Sequence, residues 1–220
     1  MSLTLFYHPL SSFCHKVLVA LYEHGVDFEK RLVNLGNDAD RTELQAIWPL
    51  VKFPVLRDGR RGRDIAEASI IIEYLDHHCA RPRKLIAEDW DTALEVRLWD
   101  RVFDNYVQGP LQAIVGDRID AANGDMSAHT AMLQTAYRMT DERLATRIWV
   151  GGDVFSMADC AAAPALFYAS TLQAFPAECA HLATYFERLM ARPSVARVLE
   201  EAKPYLSMYP FVEQVPARFR

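Results

Sequence analysis

A five-residue apolar run, Leu3 to Tyr7, is followed within two residues by Pro9 and then by a helical apolar stripe at Val17, Leu18, Ala20 and Leu21. Pro9 lacks a backbone N–H and cannot continue a strand ladder. Ser11 and Ser12 are both good helix N-caps. The segment therefore reads as strand, turn and helix, with two hydroxyls and the Cys14 thiol around the first helical turn. That turn exposes N–H groups and the positive end of the helix dipole. A thiolate held there is stabilised, whether it belongs to Cys14 or to a bound ligand.

Strand-like and helical patterns keep alternating as far as residue 80. Gly25 is a stop signal for the first helix. Val26 to Leu35 reads as a second strand and Asp38 to Ile47 as a short amphipathic helix closed by Pro49. Phe53-Pro54-Val55-Leu56 is a strand signal, Asp58-Gly59 a hairpin turn, and Glu67 to His78 a helix with Ile70, Ile71, Tyr74 and Leu75 as its apolar stripe. The order is βαβ followed by αββα, and only the first crossover demands parallel strands, with a right-handed connection.

After Pro82 the pattern becomes helical throughout. Trp90 to Val115 carries one helical period, and a polar break at Ala121 to Ser127 separates it from a helix over Ala128 to Ala145. Further helical patterns begin at Ser156 and Cys179. The spacing thus predicts an α/β domain over 1–80 and an all-helical domain over 88–203, joined near 80–87. Residues 204–220, with three prolines, read as an irregular tail on the surface.

Composition excludes several functions. A net charge of −5 gives no basic field for nucleic acid. The cluster Arg60, Arg61 and Arg63 sits among Asp58, Gly59 and Asp64 and reads as a solvated turn. The longest apolar run, Cys160 to Ser170, contains Pro164 and is far short of the roughly 20 residues that span a bilayer. No secretory signal pattern opens the chain, and the four cysteines are scattered without metal-ligand or disulfide-framework spacing. A cytoplasmic location is the expectation.

Three motifs carry weight. A proline opening the Phe53–Leu56 run is unusual for a core strand. Either it lies at an edge in the trans form, or the bond is cis and the backbone of Phe53 turns its N–H and C=O toward a ligand. Glu67-Ala68-Ser69 opens a helix, where the acid complements the dipole or the N–H groups receive a ligand carboxylate. Ser156 and Asp159 form a capping box that starts a buried helix, a structural role. There is no GxGxxG, P-loop or HExxH, and His77-His78-Cys79 are adjacent on a helix and point apart, so no metal is expected.

Taken in order, these pieces resemble a cytosolic glutathione transferase of the bacterial, serine-type, theta/zeta-like kind. The resemblance rests on Phe6-Tyr7 before a turn, Ser11-Ser12-Phe13-Cys14, Phe53-Pro54-Val55-Leu56, Glu67-Ala68-Ser69, and Gly152-Asp153 through Asp159. It implies a thioredoxin-like βαβαββα domain with a cis Pro54, an all-α domain forming an electrophile pocket, and a homodimer. It implies Ser11 as the catalytic donor to the glutathione sulfur. Ser12, Lys52, Phe53, Pro54, Glu67, Ala68 and Ser69 are implied as the glutathione-binding set. Tyr7 matches the tyrosine donor of other classes, and Cys14 the second cysteine of a thioredoxin-type motif. Two positions depart from the family pattern. Ala68 stands where relatives usually carry the serine that holds the γ-glutamyl carboxylate, and Val51 falls where they often carry glycine.

The activity so implied is conjugation of glutathione to a small hydrophobic electrophile, a detoxification chemistry, with glutathione as co-substrate and no metal, nucleic acid or membrane. Two other readings compete. The Ala68 departure is compatible with a noncatalytic interaction module on the same fold, and Cys14 at a helix start is compatible with a thiol-dependent reductase or lyase.

Overall fold

The computed structural model describes residues 3–79 and 84–220. The chain divides into two units, Met1–Leu85 and Ile86–Arg220. The junction expected near 80–87 falls partly on residues 80–83, outside the described residues.

In the first unit β1 (Leu3–Tyr7) enters α1 (Ser12–Glu23), and β2 (Phe28–Leu32) returns parallel to β1. The second strand starts later than its apolar residues suggest. Gly25 has φ of 59°, its N–H donates to Tyr22 at 3.1 Å and that of Val26 to Leu21 at 3.2 Å. This left-handed closure keeps Val26 in the end of α1. There follow α2 (Asp38–Ile47), β3 (Val55–Asp58), β4 (Arg63–Ala66) and α3 (Ala68–His78). The sheet order is β2-β1-β3-β4, with β3 antiparallel to both its neighbours.

Alternation along the strands gives the sheet two buried faces. Phe6, Val33, Val55 and Leu44 of α2 form one cluster, with Trp48, Val51 and Phe53 packed against it. Leu5 and Leu56 point the other way and are fully buried. α1 packs on α3 and is covered on nearly every side, from Cys14 to Leu21. An apolar helix of that kind belongs in a core.

The second unit is helical among the described residues. It holds α4 (Trp90–Val102), α5 (Gly109–Asp120), α6 (Ser127–Leu144), α7 (Met157–Leu172), α8 (Ala180–Met190) and α9 (Pro193–Ala202). The single period expected over Trp90–Val115 is divided by a π-helical stretch, Phe103–Gln108. Pro110, two residues after it, has no N–H for the Tyr106 carbonyl, which breaks the regular ladder.

Residues 150–159 start α7. Asp159 is fully buried and accepts from Ser156 N–H and hydroxyl, each at 2.8 Å, from Val150 N–H at 3.1 Å and from Tyr185 Oη at 2.6 Å. It holds the helix start to α8, a structural task. The tail is more ordered than its prolines suggest. It forms three 3-10 turns, Lys203–Met208, Val212–Gln214 and Ala217–Phe219, anchored by buried Leu206, Tyr209 and Val215. No helix among the described residues is long and apolar enough to cross a membrane.

Candidate active site

Phe6 of β1 pairs with Val55 of β3, and Val55 with Ala66 of β4. One cross-strand row thus lies near the end of β1, at the start of β3 and at the end of β4. Three segments leave the same edge of the sheet from it: His8–Ser11 into α1, Lys52–Pro54 into β3, and Glu67–Ser69 into α3. The residues singled out from sequence lie on these three segments and in the first turns of α1 and α3.

Ser11 is the N-cap of α1, in extended conformation with φ −76° and ψ 118°. Its Oγ accepts the Cys14 N–H at 3.3 Å. A hydroxyl has two lone pairs and one proton, so the cap bond leaves the O–H able to donate. The first turn of α1 carries no acidic side chain, and the dipole there favours an anion. Ser12, the first residue of the helix, is buried.

The thiol reading of Cys14 fails on solvation. Cys14 is fully buried, and burial drives its pKa up to about 12, against hydrogen bonds from Ser11 and the His8 N–H that pull it down. The helix dipole argument points the other way, but it is worth only about 1 kcal/mol. Excluding water from a thiolate costs more. Cys14 is a packed thiol at neutral pH.

His8 carries no distinguishing signal in the sequence, yet it joins two of the segments. Its carbonyl accepts the Ser11 N–H at 3.1 Å, its N–H donates to Cys14 Sγ at 3.5 Å, and its ring stacks on Phe53 at 5.8 Å with an interplanar angle of 18°. Nδ1 accepts the Leu10 N–H at 3.3 Å, and burial lowers the pKa of the ring. The imidazole is therefore a neutral spacer between the Ser11 turn and the Phe53 loop.

The Phe53–Pro54 peptide bond is cis, as the resemblance implies. Among the described residues, none hydrogen-bonds to the main-chain N–H or C=O of Phe53, so both are presented at this edge. Lys52 is exposed beside it. Val51, where the resemblance implies glycine, takes φ of 53°. A β-branched residue in that region is strained, by about 1–2 kcal/mol. Its packing against the Phe6–Leu44 cluster offsets part of the cost.

Glu67 is the N-cap of α3 and also left-handed, with φ 69° and ψ 120°. Its side chain is exposed and makes no cap bond, and no acid occupies the first turn. Ala68 is buried at the first helical position. Ser69 Oγ accepts from Lys16 Nζ at 2.9 Å. Lys16 is a residue of α1, is 1% exposed, and carries no sequence signal that separates it from an ordinary surface lysine. The site so assembled offers a hydroxyl at one helix start, an N–H and C=O at the cis bond, and a second helix start open to an anion.

Comparison with known proteins places the chain in a family. Residues 5–83 match the family model of the glutathione S-transferase N-terminal domain and residues 125–193 that of the C-terminal domain, together more than half the chain. The chain is 28% identical over 208 residues to glutathione S-transferase 4 of Zea mays, covering 87% of this chain and 89% of the relative. It is 26% identical to glutathione S-transferase GstB of Escherichia coli K12, covering 90% and 97%. Among solved structures, a glutathione S-transferase of Methylobacillus flagellatus with glutathione bound superposes with a TM-score of 0.78 at 25% identity, covering 90% of this chain and 98% of that one. One of Methylobacterium radiotolerans, in complex with glutathione sulfonate, gives 0.79 at 26% identity, covering 90% and 94%.

Proposed function

This chain belongs to the cytosolic glutathione transferase family, and we propose that Ser11 stabilises the thiolate of bound glutathione for attack on a small hydrophobic electrophile. The observation that carries the proposal is the position of Ser11. Its oxygen is committed to the helix cap while its proton can donate, on the sheet edge that also presents Phe53, cis-Pro54 and the start of α3. A glutathione thiolate is a stronger acceptor than the neutral, buried Cys14 sulfur, so the hydroxyl proton turns to the ligand when it binds.

The magnitudes suffice. A thiol ionises near pH 8.5 unperturbed. One hydrogen bond to a charged acceptor contributes about 1.5–3 kcal/mol, which lowers that value by roughly one to two units. The helix start adds about 0.3–1 kcal/mol. Glutathione is then largely ionised near neutral pH. Its sulfur forms a bond to carbon as the leaving group departs with its electron pair, or as an addition product takes a proton from water. No general base is required of the protein.

The rest of the peptide follows the other segments. Phe53 N–H and C=O pair with the cysteinyl backbone, the γ-glutamyl carboxylate docks at the Ala68–Ser69 start of α3, and Lys52 faces the glycyl carboxylate. The working molecule is a cytoplasmic homodimer in this reading. Trp90, Leu94 and Leu98, one turn apart on α4, are 70%, 51% and 51% exposed and form an apolar stripe suited to a second copy. Ser11→Ala tests the central assignment. Conjugation of a chlorodinitrobenzene at pH 6.5 is expected to fall roughly 10- to 100-fold. The pKa of bound glutathione is expected to rise by one to two units; unchanged turnover and pKa would overturn the role of Ser11.

A further inference from the structure

We propose that Lys16 is a positioning residue for glutathione: from inside α1 it fixes the Ser69 hydroxyl and places an ammonium charge behind the start of α3. The inference rests on the reading that the γ-glutamyl carboxylate docks there.

Lysine seldom stays buried. Its stem packs on apolar surface while the ammonium reaches water. Here the whole residue is 1% exposed, in a helix whose next five residues, Val17 to Leu21, are all buried. Burial of an ammonium is costly, and an apolar side chain of similar length is often equal or better for stability. Packing alone does not account for a lysine at this position. What distinguishes it is the direction of its head group, whose Nζ donates to Ser69 Oγ at 2.9 Å across 53 residues of sequence.

That bond ties two helix starts together. Ser69 is the second residue of α3, whose first turn holds no acidic side chain. Helix N–H groups and dipole already favour an anion at that end. The Lys16 head group reaches into that same turn and donates to it through Ser69 Oγ. It also locks one rotamer of Ser69, so the hydroxyl is in place before the ligand arrives. Ala68 has no hydroxyl to supply, and Lys16 with Ser69 takes up that polar role one residue along.

The test is selective binding, measured by titration calorimetry on the full chain. Two peptides are used, glutathione and 4-aminobutyryl-cysteinyl-glycine, which differs from it only in lacking the α-carboxylate. The wild type is expected to favour glutathione by tenfold or more. Lys16→Met is expected to lower affinity for glutathione about tenfold and to leave the analogue unchanged, with an unfolding midpoint no lower than wild type. Lys16→Arg should restore the preference, and Ser69→Ala should reduce it without adding to the effect of Lys16→Met. Equal weakening of both peptides by Lys16→Met, or no weakening of either, overturns the proposal. If Lys16→Met does not fold, the same comparison is decided by Ser69→Ala. A wild type that binds the two peptides alike removes the carboxylate site itself, and the role of Lys16 with it.

Discussion

Asp58 closes the β3–β4 hairpin, and its removal has a calculable consequence. The residue is 2% exposed. Burial on its own would raise the carboxyl pKa, but its partners outweigh it: Tyr74 Oη at 2.7 Å, the Arg61 N–H at 3.1 Å, the Arg61 guanidinium at 3.1 Å and the Arg60 N–H at 2.9 Å. The pKa is held at about 2, against 3.8 for the free group. A folded-state pKa below the unfolded one means stability that is present above pH 3.8 and lost as pH falls through 2. The difference corresponds to about 2 kcal/mol at neutral pH and, by the same relation, about 1 kcal/mol at pH 3. Asp58→Asn keeps the shape and two acceptor bonds but deletes the charge, so its cost should follow that curve. Hydrogen exchange over residues 55–66, read by mass spectrometry, reports opening of the hairpin without requiring the two units to unfold together. Exchange in the variant is expected to be roughly tens of times faster than wild type at pH 7 and to converge on it as pH drops toward 2. A ratio independent of pH, or one near unity at pH 7, would refute the electrostatic account.

Two further outcomes are expected from the structure. Native protein treated with iodoacetamide at pH 7.5 should leave Cys14 unmodified for hours, because burial keeps it a thiol; rapid labelling there would restore the thiol-dependent reading. Replacing Leu94 and Leu98 on α4 with glutamate should convert the expected dimer to monomer in sedimentation velocity while leaving helix content unchanged. A monomeric wild type, or a variant that remains dimeric, would refute the assignment of that stripe.

The parts of the fold that could be read from sequence are those fixed by local physics. The Leu3–Tyr7 run, the Ser11 cap, the Asp58-Gly59 turn and the Ser156–Asp159 box each act within a few residues, and each stands where its chemistry requires. The parts that could not be read depend on what lies far along the chain. Lys16 looks like any solvated lysine until α3 arrives 53 residues later and covers it. Cys14 shows its helix-start position in the sequence but not its burial, and burial decides its protonation. The left-handed Val51 runs against its own β-branched preference, because the chain turns there from the end of α2 toward β3, with the Val51 N–H donating to the Trp48 carbonyl. The π-helical stretch ahead of Pro110 leaves the apolar period of α4 and α5 intact, so periodicity alone does not expose it.

The shared row Phe6–Val55–Ala66 also determines which changes the site can survive. Because strand side chains alternate, moving one strand by a single residue exchanges its inward and outward sets. A one-residue deletion within β3 would draw the cis loop into the sheet, and one within β4 would pull the start of α3 across the edge. Either would displace one of the three segments from the others by about 3.4 Å, a strand step, while leaving every named side chain in the sequence. Between Pro54 and Glu67 this chain can therefore change length without moving the site only in the turn after Asp58.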